Sequence, residues 1–103
     1  MNKVDTLIQN ALVFDGSGAA PLLQDLAVHQ GKIVGIGENL ALTADHCVNA
    51  SGLALMPGII DSHTHYDAQI TWDARIRPSP ALGVTTAVIG NCGFTIAPCR
   101  PKD

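Results

Sequence analysis

The sequence predicts a mixed β and α/β chain: a small N-terminal antiparallel β-sandwich over residues 1–56, then a strand–crossover–strand unit over residues 57–103. Three observations predict it. Residues 4–56 hold short apolar runs separated by turn residues at regular intervals, the pattern of a small antiparallel β structure. Residues 57–89 run from an apolar stretch through a long polar connection to a β-branched stretch, the pattern of a parallel βαβ unit. The length of 103 residues suits one small domain, so neither half can be large.

The elements follow in order. Val4 to Phe14 is rich in Leu, Ile and Val and stops at Asp15-Gly16-Ser17-Gly18. It reads as one or two strands, with a turn near Gln9-Asn10. Asp25 to Val28 and Lys32 to Ile36 flank His29-Gln30-Gly31, a hairpin signal with a glycine free to take positive φ. Glu38 to Ala44 is ambiguous and has room for a helical turn. Cys47 to Ala50 and Leu53 to Met56 read as strands around a turn at Ser51-Gly52. Ile59 to His63 reads as a strand opened by Pro57-Gly58. Tyr66 to Arg77 is a polar connection with room for a helical turn. Ser79-Pro80 is a helix start, with Ser79 as N-cap and Pro80 at the first helical position. Gly83 is a stop, and Val84 to Ile89 is a β-branched strand.

Composition narrows the function. The chain is 47% hydrophobic and 15% charged, with a net charge of −3. It has no basic footprint for nucleic acid and no polybasic patch for a membrane surface. No run approaches the ~20 apolar residues of a transmembrane helix. Met1-Asn2-Lys3-Val4-Asp5 lacks the apolar core of a signal peptide. Cys47, Cys92 and Cys99 are odd in number and lack a disulfide spacing. They read as reduced thiols of a cytoplasmic protein.

The chemistry concentrates at Gly58-Ile59-Ile60-Asp61-Ser62-His63-Thr64-His65. Side chains at i and i+2 share a face in an extended strand. His63 and His65 would thus project two imidazoles side by side at a strand's C-terminal end, an arrangement that suits zinc or a similar divalent ion. A bare His-x-His also fits two surface histidines in a loop. Asp61, two residues earlier, is placed to accept a hydrogen bond from a ligand's second ring nitrogen; satisfaction by backbone N–H groups is the other reading. Cys92, in Gly90-Asn91-Cys92-Gly93, follows the next apolar run. On its own it reads as a buried small hydrophobe or, as a thiolate, as a third ligand. Asn91 can hold the bend through its side chain. Tyr66 and Asp67 follow the histidine pair and either line a substrate pocket or, for Asp67, cap the next turn. Trp72 reads as a core residue, Arg75 and Arg77 as a solvated face, and Cys99 as structural. Cys47, His29 and His46 carry no assigned chemistry.

MPGIIDSHTHYDAQITWD, followed by GVTTAVIGNCGFTIAPCRP, resembles the amidohydrolase superfamily. The PG-x-ID-x-H-x-H segment is shared by many of its members. GVTT followed by GNCG is narrower and resembles the D-aminoacylase branch, the N-acyl-D-amino-acid deacylases. The likeness is strong over residues 54–102 and looser over residues 1–53. It implies that the second half is the first βαβ unit of an incomplete β/α (TIM-like) barrel, whose full form needs ~250 residues. It implies one or two divalent ions, zinc foremost, held in this chain by His63, His65 and Cys92. Cys92 would stand where other members carry a modified lysine that bridges two metals. Asp61 and Asn91 would support these ligands through hydrogen bonds, with Tyr66 and Asp67 as substrate contacts.

The implied reaction is hydrolysis of the amide of a small N-acyl-D-amino acid to a carboxylate and the free amino acid. Zinc would lower the pKa of a bound water to roughly 7 and polarise the amide carbonyl. The general base is an aspartate of a late barrel strand, so no catalytic acid or base is expected within these residues and the chain alone is expected to be inactive. Unpaired barrel strands would favour self-association. Leu82 stands where the branch commonly carries a histidine, which bears on substrate choice and leaves the ligands intact. Two other readings remain: a non-catalytic β module with a structural or vestigial metal site, and a cyclic-amide hydrolase such as a dihydroorotase or hydantoinase, against which GNCG argues.

Overall fold

The computed structural model describes residues 2–92 and 100–102. Cys99 and Gly93 lie outside the described residues. The chain forms two compact units, Met1–Pro57 and Gly58–Asp103.

The first unit is one five-stranded sheet. Its strands are β1 (Lys3–Val13), β2 (Leu22–His29), β3 (Lys32–Gly37), β4 (Thr43–Asn49) and β5 (Ala54–Leu55). β1 is central. It pairs antiparallel with β2, which pairs antiparallel with β3. The β2–β3 turn is tighter than the sequence suggests. Only Gln30 and Gly31 form it, both at positive φ (49° and 72°), as a two-residue hairpin demands. Val4 to Phe14 is a single strand over most of its length. The predicted turn near Gln9-Asn10 is an irregularity between Ile8 and Ala11, with Asn10 at φ 60°.

The strand sense differs from a wholly antiparallel layer. β4 and β5 both run parallel to β1, end to end along one of its edges. Glu38–Leu42 carries the chain from β3 to this far edge without a hairpin. Ala50 N–H bonds Gln9 C=O at 2.8 Å, and Leu12 N–H bonds Leu53 C=O at 3.0 Å, so pairing continues across the break between β4 and β5. Two apolar clusters hold the sheet: Val4, Leu7 and Ala27 with Leu40, Leu42 and Ala44 packed on them, and Ala11, Val13 and Ala50 with Ile8 and Leu55. Burying a side chain such as Leu7 stabilises by about 1.5–3 kcal/mol. Asp25 is also buried, with both oxygens satisfied, by Asn10 N–H and Leu40 N–H, each at 3.0 Å.

The second unit contains β6 (Ile59–Asp61), α1 (Tyr66–Gln69), a 3₁₀ turn (Ser79–Leu82) and β7 (Val84–Ala87). β6 and β7 are parallel, pairing Ile59 with Val84 and Asp61 with Ala87. This is the expected strand–crossover–strand connection, with shorter strands. Gly83 ends the 3₁₀ turn in the left-handed region (φ 96°), and its carbonyl accepts Ile59 N–H at 3.0 Å, opening the ladder. The turn begins one residue earlier than predicted. Pro78 occupies the cap position without a side-chain bond. Ser79 is the first residue of the turn, and its hydroxyl pairs with the Tyr66 hydroxyl.

Trp72 corrects the expectation of a core residue, being 73% exposed. The loop is organised around its neighbour Asp73, which is buried. Asp73 accepts Arg75 N–H and Arg77 N–H, each at 3.0 Å, and the Gln69 side-chain amide at 3.4 Å. Trp72 is turned outward next to it.

Candidate metal centre

β6 ends at Asp61, so His63 and His65 lie beyond the strand. They meet by a route other than strand alternation. The Asp61 carboxylate accepts the backbone N–H of His63 at 3.2 Å, an Asx turn that bends the chain. His65 is the cap residue of α1 and makes no side-chain capping bond, so its ring is not used there. The two rings stack with centroids 6.0 Å apart and planes 12° from parallel.

Four contacts lace this bend to the segment after β7. Val88 N–H bonds Asp61 C=O at 2.8 Å. The Thr64 hydroxyl donates to Val88 C=O at 2.7 Å. Gly90 N–H donates to Asp67 Oδ2 at 3.1 Å. The Asn91 side-chain amide donates to Ser62 C=O. Together they bring Cys92 back to the histidine pair. One ligand atom from each of His63, His65 and Cys92 lies within 4.8 Å of the other two.

That donor set fits a zinc ion. Tetrahedral zinc with bonds of ~2.0–2.3 Å to nitrogen and sulfur spaces its ligand atoms by ~3.3–3.6 Å, so closure takes shifts of about 1 Å or less. Among the described residues the cluster offers two imidazoles and one thiol, three of the four ligands of a tetrahedral zinc ion. Both histidines are exposed and Cys92 is half-buried, so the site is reachable.

The other predicted residues fall as follows. Asp61 touches the backbone of His63, with no bond to a ring nitrogen among the described residues. Asn91 holds the bend through its side chain. Tyr66 is tied to Ser79 and lines a depression of about 180 Å³ with Ile76, Pro80 and Val84–Ala87, which does not include the three ligands. Asp67 lies within α1 and is 2% exposed. The sequence reading passed over Thr64, which is buried. Strand alternation, with both histidines expected on one face, would have turned it to the other.

A β-sheet unit leading into a parallel strand pair, with imidazoles and a thiol at the strand ends, defines a chain of the β/α class with a candidate metal centre. The model of the amidohydrolase family matches residues 46–103, and the chain belongs to that family. It is 41% identical over 96 residues to N-acyl-D-aspartate deacylase of Alcaligenes xylosoxydans xylosoxydans, covering 93% of this chain and 19% of that protein. D-aminoacylase of the same organism is 39% identical over 94 residues, covering 91% and 19%. Among solved structures, N-acyl-D-glutamate deacylase from Bordetella bronchiseptica, complexed with zinc and a phosphonate mimic of the tetrahedral intermediate, superposes with a TM-score of 0.84. It is 40% identical, over 94% of this chain and 20% of that one. The chain thus spans about a fifth of the length of these relatives.

Proposed function

We propose that this chain supplies part of the zinc centre of an amidohydrolase that cleaves the amide bond of N-acyl-D-amino acids. His63, His65 and Cys92 are the ligands. The observation that carries the reading is the convergence of their three ligand atoms within 4.8 Å. The similarity to deacylases of N-acyl-D-aspartate and N-acyl-D-glutamate supports the substrate class. Zinc bound here would activate water and polarise the amide carbonyl. The chain's own residues do the holding. Asp61 bends the backbone to stack the imidazoles, and Asn91 fixes the loop that presents the thiol.

No acid or base for proton transfer is assigned within this chain. Catalysis needs such a group within hydrogen-bond reach of the reacting atoms. The purified chain with zinc is therefore expected to leave an N-acyl-D-amino acid unhydrolysed. Equilibrium dialysis with zinc tests the ligand assignment. The chain is expected to bind about one equivalent, with affinity falling at least tenfold in Cys92→Ala and in His63→Ala, since each removes one of three ligands. Undiminished zinc binding by Cys92→Ala would remove the thiol from the centre.

A further inference from the structure

Asp67 is not accounted for by the ligand set. Its side chain is almost wholly buried, at 2% exposure. Oδ2 accepts Gly90 N–H at 3.1 Å. Oδ1 is buried and has no hydrogen-bond partner among the described residues. A buried carboxylate with one oxygen unsatisfied is costly to keep, so its retention calls for a specific task. Its place in the chain indicates the task. Asp67 lies two residues after His65, and Gly90 lies two residues before Cys92. One hydrogen bond thus joins the element carrying the imidazoles to the loop carrying the thiol.

The other three lacing contacts secure Asp61, Ser62, Thr64, Val88 and Asn91. Among the described residues, Gly90 N–H bonds Asp67. Gly90 itself takes positive φ (83°), and glycine enters that region freely in both signs. Without the Asp67 bond, this residue is the point at which the backbone can turn Cys92 away from the histidines, with the Asn91–Ser62 bond as the remaining restraint.

We propose that Asp67 is a positioning residue of the metal centre: by accepting Gly90 N–H it locks the hinge that holds the Cys92 thiol beside His63 and His65. The task uses one acceptor oxygen and does not use the carboxylate's charge. The relevance to zinc rests on the functional reading above, but the lock exists without metal and is tested without it.

The experiment compares the metal-free chain with Asp67→Ala and Asp67→Asn. Asparagine keeps one oxygen for Gly90 and has nearly the same shape; alanine offers no acceptor. Iodoacetamide alkylation is followed by mass spectrometry at each cysteine, with exposed Cys47 in the first unit as internal reference. Amide hydrogen exchange is read at Gly90 and at Val88, whose bond to Asp61 C=O does not involve Asp67.

In Asp67→Ala, Cys92 is expected to alkylate up to about tenfold faster relative to Cys47, the upper scale of one lost hydrogen bond. Gly90 should lose protection while Val88 keeps it. Asp67→Asn should restore both readings to within about twofold, because its amide oxygen still accepts. Three results would overturn the proposal: unchanged Cys92 reactivity in Asp67→Ala, failure of Asp67→Asn to rescue, or equal loss of protection at Val88 and Gly90. The last two would assign Asp67 to charge or to general packing. None of these outcomes depends on zinc binding or deacylase activity, so the lock and the functional reading can fail separately.

Discussion

Asp73 organises the polar connection of the second unit by accepting two backbone N–H groups, from Arg75 and Arg77. The Arg77 N–H is the main reason its carboxyl titrates below the ordinary aspartate range, with Arg75 N–H and the Gln69 amide adding to the effect against desolvation. A carboxylate depressed in the folded state contributes stability above its unfolded pKa of about 3.9 and loses it as pH falls through the lower folded value. Acidification below about pH 4 should therefore release the 73–77 turn. Protection factors at the Arg75 and Arg77 amides, followed downward from neutral pH, are expected to collapse in that window. Asp73→Ala should show the low-pH behaviour already at neutral pH; equal protection in both proteins would deny Asp73 this role. Residue identity made some of this legible and hid the rest. His63 and His65 could be offered as ligands from residue type and spacing, whereas Cys92 alone read as a buried thiol and joined them through the resemblance carried by GNCG. The exposure of Trp72 could not, because size and apolarity argue for burial while the outcome is decided by which neighbour the backbone folds around.

At the scale of elements, the parallel pair β6–β7 depends on a close approach that only glycine allows. A Cβ built on Gly58 would stand 2.7 Å from Thr85 Cβ, and nearer still to its Oγ1 and Cγ2. Thr85 is β-branched and stiff at χ1, so it cannot swing clear. Gly58→Ala should destabilise the second unit by about 1–3 kcal/mol, the usual cost of overpacking. Urea titration with exchange read at the Ile59 amide, which opens the ladder, measures this. Adding Thr85→Gly should recover most of the loss; no recovery would place the strain elsewhere. Turn residues and apolar runs located most strands, since those signals are local. Strand sense was less legible. The parallel placement of β4 and β5 on β1 depends on where Glu38–Leu42 carries the chain, a long-range outcome that local spacing does not encode. The histidine pair shows the same limit from the other side. Strand alternation predicted adjacent rings, and the rings are adjacent, but an Asx turn beyond the strand end puts them there.

For the molecule as a whole, the balance of apolar surface governs behaviour in solution. A two-stranded sheet is marginal alone in water, and parallel strands are ordinarily covered on both faces. In the second unit Ile60 is 66% exposed and Ile59, Val88 and Ile89 are each more than 40% exposed. Large apolar side chains left exposed along one strand pair are surface of the kind that drives association, and a net charge of −3 over 103 residues supplies little repulsion to oppose it. We therefore expect the isolated chain to self-associate through β6, β7 and the residues just after them. Light scattering over a concentration series should show mass rising above the monomer, and sulfate should promote the rise because it strengthens apolar burial. Two charges placed on these exposed side chains, Ile60→Asp with Ile89→Asp, should shift the series toward monomer. The first unit supplies the control. It also exposes apolar side chains, Ile33 at 61% and Leu23 at 65%, and Ile33→Asp should leave the association unchanged if the strand pair drives it. Association abolished by Ile33→Asp and untouched by the paired change would move the sticky surface to the β3 edge of the first sheet.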